Sequence, residues 1–217
     1  MIELHSVPTA NGQKVHIALE ETGLPYTASF VDLVAGEHKT EAFRALNPFA
    51  KAPALLDPDG PDGRPIALAE SMAIVFYLAE KAGGGLLATD RRARAEELMW
   101  ATAISSSVAM PFAMQFFATN LAPEPTPWLE TMMTQGCRDA LAMFDQRLAD
   151  RPFVMGERFG VVDCLFYPVV ATSAKRLAGG LSGYANLQRY EAELATRPGV
   201  ARGMAVGVPP SINIEAS

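Results

Sequence analysis

The stretch Lys51-Ala52-Pro53-Ala54-Leu55-Leu56, followed further along by Glu70-Ser71, decides the fold. It is a short apolar run opened by proline, and a turn rich in Asp, Pro and Gly separates it from a second apolar run at 66–69. Glu70 and Ser71 then begin a helical pattern. Together these patterns predict a strand, a hairpin turn, a strand and a helix.

The same stretch carries groups that suit a ligand with an α-amino acid end. Proline donates no hydrogen bond, so Pro53 is expected at the first position of its strand, after a peptide bond that can be cis. A cis bond would turn the amide and carbonyl of Ala52 outward, toward an extended peptide-like ligand. Ser71 lies at a helix N-terminus, which attracts a carboxylate, and Glu70 beside it can bind an ammonium group.

Composition limits the classes of function. A chain of 217 residues with 49% hydrophobic content can bury a full core, and a net charge of −6 argues against nucleic acid or an anionic membrane as a partner. We see no signal peptide and no run of 18 or more apolar residues. The two cysteines, Cys137 and Cys164, form no CxxC pattern, so we expect no metal site, no disulfide framework and a cytoplasmic location.

The chain divides into an α/β part and a helical part. Residues 1–82 predict strands at 2–5 and 26–33, helices at 9–22, 40–46 and 71–82, and the hairpin between the last two helices. This β-α-β-α-β-β-α order is that of a thioredoxin-like domain. A Gly-rich linker at 83–89 precedes an all-helical domain at 90–207, and the tail at 208–217 has no periodicity.

Proline and glycine divide the second domain into helices. A long helix over 90–120 is expected to kink at Pro111, where the ring removes a backbone donor. The remaining helices are predicted at 128–150, 161–177, 186–196 and 199–205.

Five motifs in this order resemble the soluble glutathione transferases over nearly the whole chain. They are Pro8-Thr9-x-Asn11-Gly12-x-Lys14-Val15, Asp32-Leu33 through Gly36-Glu37, Leu46-Asn47-Pro48, Lys51-Ala52-Pro53-Ala54-Leu55, and Glu70-Ser71-x-Ala73-Ile74-x-x-Tyr77-Leu78. The first motif is most similar to the bacterial Nu class, members of which are glutathione-dependent disulfide oxidoreductases. The resemblance implies a thioredoxin-like domain followed by an all-α domain, with glutathione as co-substrate.

The resemblance also implies roles for individual residues. Ala52 and Pro53 would bind the cysteinyl backbone of glutathione, and Glu70 and Ser71 its γ-glutamyl amino and carboxyl groups. Lys51, His38 and also Lys39 would lie at the glycine end. Thr9 and Asn11 occupy the positions that contact the ligand's sulfur.

The nucleophile implied by this resemblance is the thiolate of glutathione, because residues 1–82 contain no cysteine. A thiol pKa of about 8.5 must fall for the anion to form at neutral pH. One charge-assisted hydrogen bond from Thr9 or Asn11, worth about 1.5–3 kcal/mol, can supply the shift. Ser6 is the alternative donor. Thr9 as a simple helix cap and Asn11-Gly12 as simple turn residues are the structural alternatives.

The acceptor site is expected between the domains, against the long helix. Met110, Met114 and Phe117 offer adaptable apolar surface there, although residues at helical spacing are also typical of a core. The Nu-class pattern has glycines and polar residues around a Gly-Pro step in the middle of this helix. This chain instead has Ser105-Ser106-Ser107-Val108-Ala109-Met110-Pro111 followed by phenylalanines, which argues against disulfide reduction and leaves glutathione binding unaffected.

Three functions remain open. The first is a transferase that adds the thiolate to electrophiles, or a disulfide oxidoreductase that exchanges it with a disulfide. The others are glutathione-dependent cleavage of an ether or carbon–halogen bond in a catabolic pathway, and a non-catalytic binding or scaffold protein. The resemblance further implies a homodimer. The exposed-looking segment 67–77 and the first long helix are the candidate faces of its interface.

The start of the helix at 161 departs from the family's capping box. The box opens with Ser or Thr, but this chain has Gly160-Val161-Val162-Asp163. Asp163 is still expected to cap the helix, because glycine is an acceptable N-cap residue.

Overall fold

The computed structural model describes residues 1–206, and an α/β unit forms the first part of the chain. Its strands are β1 to β4, at Ile2–Ser6, Tyr26–Phe30, Ala54–Asp57 and Ile66–Ala69. Its helices are α1 to α3, at Ala10–Thr22, Glu41–Leu46 and Ser71–Lys81, and a 3₁₀ turn lies at Glu37–Lys39.

The four strands form one mixed sheet in the order β2-β1-β3-β4. β1 runs parallel to β2, whereas β3 is antiparallel to both β1 and β4, with Leu4 opposite Leu55 and Leu55 opposite Leu68. A parallel pair needs a crossover, which α1 supplies, and an antiparallel pair closes through the short hairpin. The predicted thioredoxin-like α/β fold is confirmed.

The second strand is shorter than predicted. It ends at Phe30 rather than residue 33, because the side chain of Asp32 accepts hydrogen bonds from the amides of Val34 and Ala35 at 2.9 and 2.8 Å. An Asp side chain that bonds the backbone two and three residues ahead stabilises a turn instead of an extended chain. Residues 31, 33 and 34 are apolar, so the sequence pattern favoured a longer strand instead of this turn.

The second part is helical, as predicted. Its helices are α4 to α9, at Arg91–Ala103, Ala109–Asn120, Pro127–Arg147, Val161–Arg176, Ala185–Ala195 and Pro198–Ala205. The predicted tail at 208–217 lies outside the described residues, as does residue 207.

The irregularity expected at Pro111 is a π-helical segment over Ile104–Val108, which joins α4 to α5. A proline removes its own donor and its ring crowds the carbonyl four residues earlier, here that of Ser107. The disruption therefore lies in the turn before the proline rather than at the ring itself, and Pro111 itself is in α5.

Helices of the two parts share one core. α1 packs against α7 and α9, and α3 packs against α7. Arg197 adds a bidentate ion pair to Glu21 of α1, with N–O distances of 2.8 and 2.6 Å. These contacts anchor α1 to the helical part.

The segment between α3 and α4 is attached to the helical part by backbone groups. The amide of Val161 donates to the carbonyl of Leu86 at 3.1 Å, and the carboxylate of Glu97 accepts from the amide of Ala88 at 3.0 Å. Burial raises the pKa of Glu97, while Arg94, at 2.8 Å, favours its charged form.

One helical stretch, Arg91–Asn120, is long and apolar enough to cross a membrane by length and composition. A single stretch of this kind is weak evidence for a span.

Candidate functional site

The N-terminus of α1 is open. Thr9 is the N-cap residue and has extended backbone angles, yet its side chain makes no capping hydrogen bond. The first turn also contains no acidic residue. The free amides of this turn and the exposed side chains of Thr9 and Asn11 therefore face outward, where the helix dipole favours an anion.

The start of α1 lies close to the end of β1, and this close approach determines the position of Thr9 and Asn11. A Cβ atom on Gly12 would lie 2.0 Å from the carbonyl oxygen of Val7 and 2.5 Å from Oγ of Ser6. Only glycine fits there, so α1 starts immediately after the turn that follows β1. The Asn11-Gly12 pair thus has a packing role as well as a position at the helix start.

Ser6, the alternative donor, is only 3% exposed, and its hydroxyl donates to the carbonyl of Val7 at 3.3 Å. A hydroxyl in this position faces the core rather than the surface where Thr9 and Asn11 are exposed. Thr9 and Asn11 therefore remain the predicted sulfur contacts.

Lys14 is a site residue to which the sequence motif assigned no role. It is 2% exposed, and its ammonium donates to Oδ1 of Asn11 at 2.8 Å. Burial lowers the pKa of Lys14 to about 8, and the charge of Glu70 opposes that shift. The sequence could have indicated this contact, because Lys14 follows Asn11 by three residues and residues at i and i+3 are neighbours on a helix.

The Ala52–Pro53 peptide bond is cis, as the proline-led strand allowed. Neither the amide nor the carbonyl of Ala52 makes a backbone hydrogen bond within residues 1–206. The buried side chain of Asn47 supports this loop, because its Nδ2 donates to the carbonyl of Lys51 and its Oδ1 accepts from the amide of Phe49 at 2.9 Å. Asn47 belongs to the Leu46-Asn47-Pro48 motif, and its two hydrogen bonds reach residues two and four positions ahead.

Glu70 and Ser71 stand at the start of α3. Glu70 is exposed and has φ of 66°, a region that a residue with a Cβ atom rarely adopts. Such strain costs about 1–3 kcal/mol and persists where surrounding structure enforces it, often at a ligand site. Ser71 is the first residue of the helix and is half-buried.

The residues predicted for the glycine end occupy two loops. His38 lies in the 3₁₀ turn Glu37–Lys39, and its Nδ1 is buried without a hydrogen-bond partner within the described chain. Lys39 and Lys51 are exposed, and Lys51 directly precedes the cis bond segment. Lysine and histidine in these places can donate to a carboxylate.

The predicted acceptor residues on α5 are surface rather than deep core. Met110 is 61% exposed, Phe117 is 42% exposed and Met114 is half-buried. Other large apolar side chains on α4, α6 and the end of α5 are also exposed: Met99, Phe116, Leu121, Trp128 and Met132. Exposed apolar surface is typical of a binding or assembly site where such side chains are contiguous.

The two other histidines, His5 and His16, lie in structural environments. Nδ1 of His5 lies 2.9 Å from the hydroxyl of Ser29 on the neighbouring strand. His16 is buried, and burial lowers its pKa to about 4. Among residues 1–206, no group of three or more His, Cys, Asp or Glu residues is arranged to hold a metal ion.

Two family models match the chain. The model described as glutathione S-transferase, N-terminal domain, matches residues 10–81, and the model described as glutathione S-transferase, C-terminal domain, matches residues 99–193. The two matches cover both structural parts in the order found here.

Curated relatives include two proteins of Escherichia coli (strain K12). Disulfide-bond oxidoreductase YfcG is 29% identical over 206 residues, which cover 94% of each chain. Disulfide-bond oxidoreductase YghU is 32% identical over 221 residues, which cover 94% of this chain and 74% of the relative.

Solved structures give the same result. A glutathione transferase family member from Pseudomonas fluorescens Pf-5, with two glutathione bound, has a TM-score of 0.88 and 34% identity, and the match covers 94% of this chain and 92% of that one. A glutathione transferase from Pseudomonas putida, with one glutathione disulfide bound per subunit, has a TM-score of 0.89 and 32% identity, with coverage of 95% and 92%.

Proposed function

Because the chain belongs to the glutathione S-transferase family, we propose that it is a glutathione-dependent enzyme whose nucleophile is the thiolate of bound glutathione. The observation that carries this proposal is the open N-terminus of α1, where exposed Thr9 and Asn11 stand without an internal cap. An uncapped helix start stabilises an anion through its free amides and its dipole.

The residues around that helix start divide among the parts of glutathione. Ala52 and Pro53 bind the cysteinyl backbone through the free amide and carbonyl of Ala52. Glu70 holds the γ-glutamyl ammonium and Ser71 the carboxylate beside it. The positively charged or donor side chains of His38, Lys39 and Lys51 hold the glycine carboxylate.

Thr9 and Asn11 lower the pKa of the bound thiol. Each is a donor exposed at the positive end of a helix, and a charge-assisted hydrogen bond contributes about 1.5–3 kcal/mol. One pKa unit corresponds to about 1.36 kcal/mol, so one such bond accounts for a shift of about one to two units. A thiol with a pKa of about 8.5 in water would then have a pKa of about 6.5 to 7.5, so about a quarter to three quarters of it would be ionised at pH 7.

Disulfide exchange is the reaction that the relatives favour, since two of them are named disulfide-bond oxidoreductases and one solved structure holds glutathione disulfide. The glutathione thiolate attacks one sulfur of a disulfide, an S–S bond forms to glutathione, and the other half leaves as a thiolate that takes a proton from water. A second glutathione thiolate then attacks the glutathione sulfur of this mixed disulfide, which forms glutathione disulfide and expels the remaining half of the substrate as a second thiolate. Each cycle therefore oxidises two glutathiones and reduces one disulfide to two thiols.

Transfer to an electrophile is the second candidate, and the exposed apolar surface of α5 favours it. Met110, Met114 and Phe117 form soft, adaptable surface that suits an apolar acceptor. Comparing turnover of a small disulfide with turnover of an aryl halide, at equal glutathione concentration, separates the two reactions.

We also propose that the protein is a cytoplasmic homodimer. Its free cysteines, Cys137 and Cys164, are both buried, which suits a reducing compartment. Exposed apolar side chains on α4 and α6, including Met99 and Trp128, supply surface for a second copy. Light scattering after size exclusion should give twice the mass of the 217-residue chain.

Calorimetric titration with reduced and with oxidised glutathione tests the proposal. Glu70→Ala should abolish binding, because the γ-glutamyl ammonium loses its partner. Glu80→Ala is the matched control, since Glu80 lies at the other end of α3 and pairs with Arg94 at 2.9 Å. Its affinity should equal that of the unaltered protein.

The outcomes separate the candidate functions. Tighter binding of the oxidised form, lost in Glu70→Ala, supports disulfide chemistry, whereas binding of the reduced form alone supports a transferase. Absence of binding by either form contradicts the proposed function and favours a non-catalytic scaffold. Turnover confined to one dedicated ether or organohalide would instead indicate a catabolic lyase or dehalogenase.

A further inference from the structure

The buried ammonium of Lys14 is an unusual feature of the α1 N-terminus. Lys14 is 2% exposed, and within residues 1–206 its ammonium makes a single hydrogen bond, to Oδ1 of Asn11 at 2.8 Å. An ammonium has three donors, and burying one with few partners is unfavourable. A cation near the start of a helix is also disfavoured by the dipole.

This single hydrogen bond determines the orientation of the Asn11 amide. The ammonium is a donor with no acceptor, so it can only face the oxygen of the amide. Rotating the amide by half a turn would bring its NH₂ group against the ammonium, so that two donors would face each other without an acceptor. Nδ2 is therefore directed away from Lys14, and the exposed side of Asn11 presents donors rather than an acceptor.

We propose that Lys14 is a positioning residue: it holds the NH₂ group of Asn11 toward the sulfur of bound glutathione, and its buried positive charge stabilises the thiolate. This inference rests on the proposed function. The inference depends on the contact between Lys14 and Asn11, because Lys14 is too buried to contact the sulfur directly.

The charges around the site agree with this role. Glu70 is the charged neighbour that raises the pKa of Lys14, whereas burial lowers that pKa to about 8, so the ammonium stays mostly protonated at neutral pH. When the γ-glutamyl ammonium binds Glu70, that carboxylate is shared with the ligand. Glu70 then balances the positive charge of Lys14 less completely, and that charge favours an anion at the start of α1.

The experiment measures the thiol pKa of bound glutathione from the ultraviolet absorbance of its thiolate as a function of pH. Lys14→Met keeps the approximate length of the side chain and removes the charge and the donor. We expect it to raise the thiol pKa by about one unit, which lowers the thiolate fraction roughly tenfold at a pH below both values. Lys81→Met is the control, because Lys81 pairs with Asp57 at 2.9 Å on the far end of α3 and should leave the thiol pKa unchanged.

Two variants of Asn11 test the orientation directly. With Lys14 holding one oxygen, Asn11→Asp places its other carboxylate oxygen where the NH₂ group stood, so it should raise the thiol pKa more than Asn11→Ala does. In the Asn11→Ala background, Lys14→Met should have a smaller effect than it has in the unaltered protein, because the orientation component is already lost.

An unchanged thiol pKa in a folded Lys14→Met protein that still binds glutathione would overturn the inference. So would an Asn11→Asp variant whose thiol pKa is no higher than that of Asn11→Ala, and this comparison holds even where Lys14→Met does not fold. Failure of the unaltered protein to bind glutathione would contradict the proposed function instead, so the two failures are distinguishable.

Discussion

Helices α1 and α7 both begin beside a buried charge, but the two helix starts are built in opposite ways. At α7 the carboxylate of Asp163 is fully buried and accepts three hydrogen bonds of 3.0 Å, from the amides of Gly160 and Val154 and from the hydroxyl of Tyr190. At α1 the ammonium of Lys14 is nearly as buried and has one hydrogen bond.

Burial shifts both groups toward their neutral forms. It raises the pKa of Asp163 to about 6, against the effect of the hydrogen bonds that it accepts. It lowers the pKa of Lys14 to about 8. Asp163 also caps a helix with favourable charge, whereas Lys14 lies near the wrong end of the α1 dipole. The first arrangement stabilises the fold, and the second costs stability where a ligand is expected.

The α7 start also explains the departure from the family's capping box. Gly160 replaces Ser or Thr because a Cβ atom there would lie 2.8 Å from the carbonyl oxygen of Leu86. Asp163 nevertheless caps the helix, since it accepts from the amide of Gly160, and this confirms the expectation from the sequence. The missing hydroxyl is thus a consequence of the linker's close approach.

Asp163→Ala should have the largest effect on stability, since it leaves three donors at a buried position without an acceptor. Each unsatisfied group costs about 1–3 kcal/mol, so we expect a loss of about 3 kcal/mol or more in the free energy of unfolding. Urea denaturation followed by circular dichroism measures it. Tyr190→Phe removes one donor of the three and should cost about 1 kcal/mol; equal losses in the two variants would contradict the account of this cluster.

Lys14→Met should change stability in the opposite direction. Lowering the pKa of Lys14 by about 2.5 units corresponds to a cost of about 3 kcal/mol, and losing its hydrogen bond to Asn11 offsets about 1 kcal/mol of that. Lys14→Met should therefore raise the free energy of unfolding of the ligand-free protein at pH 7 by about 2 kcal/mol, even as the thiol pKa rises. Thermal unfolding without glutathione measures the change. A lower melting temperature in the variant would show that Lys14 stabilises the fold, and the contrast with Asp163 would fail.

The pH dependence of that gain sharpens the comparison. The folded pKa of Lys14 is about 8 and lies below the ordinary value of 10.5. Between these values the unfolded chain holds more protons than the folded one, so this group makes the unaltered protein more stable as pH rises. The advantage of Lys14→Met should be complete below pH 8 and decline toward pH 10.5. Urea denaturation between pH 8 and pH 10.5 measures the free energy of unfolding of both proteins. A difference between them that does not change with pH would show that the pKa of Lys14 is not lowered.

Substitutions of Glu70 should have the smallest of these effects on stability. Its φ of 66° suits glycine, so Glu70→Gly should be more stable than Glu70→Ala by about 1 kcal/mol, although both should lose glutathione binding. Melting temperatures of the two variants test this. Equal stability would mean that the backbone at this position carries no strain, and that the site's cost lies in Lys14 alone.

The local patterns were sufficient for most of the fold. Pro53 at a strand start, the hairpin turn and the helical periodicity after residue 90 each depend on a few neighbouring residues, and their predicted elements agree with the structure to within a few positions. The errors occurred where a side chain bonds the nearby backbone or where a proline acts on the preceding turn. Asp32 shortened β2, and Pro111 moved the irregularity to 104–108.

The residue types along the chain determined the order of the two domains through local spacing and composition, and the five motifs carried the resemblance that assigned Thr9 and Asn11 to the ligand's sulfur. The tertiary structure decided which polar groups are buried and what they contact. Only the folded structure buries Lys14 and places its ammonium against Asn11 at the candidate site. Burial depends on elements distant in sequence, so a charge that looks solvated in the sequence can be the one that costs the fold most.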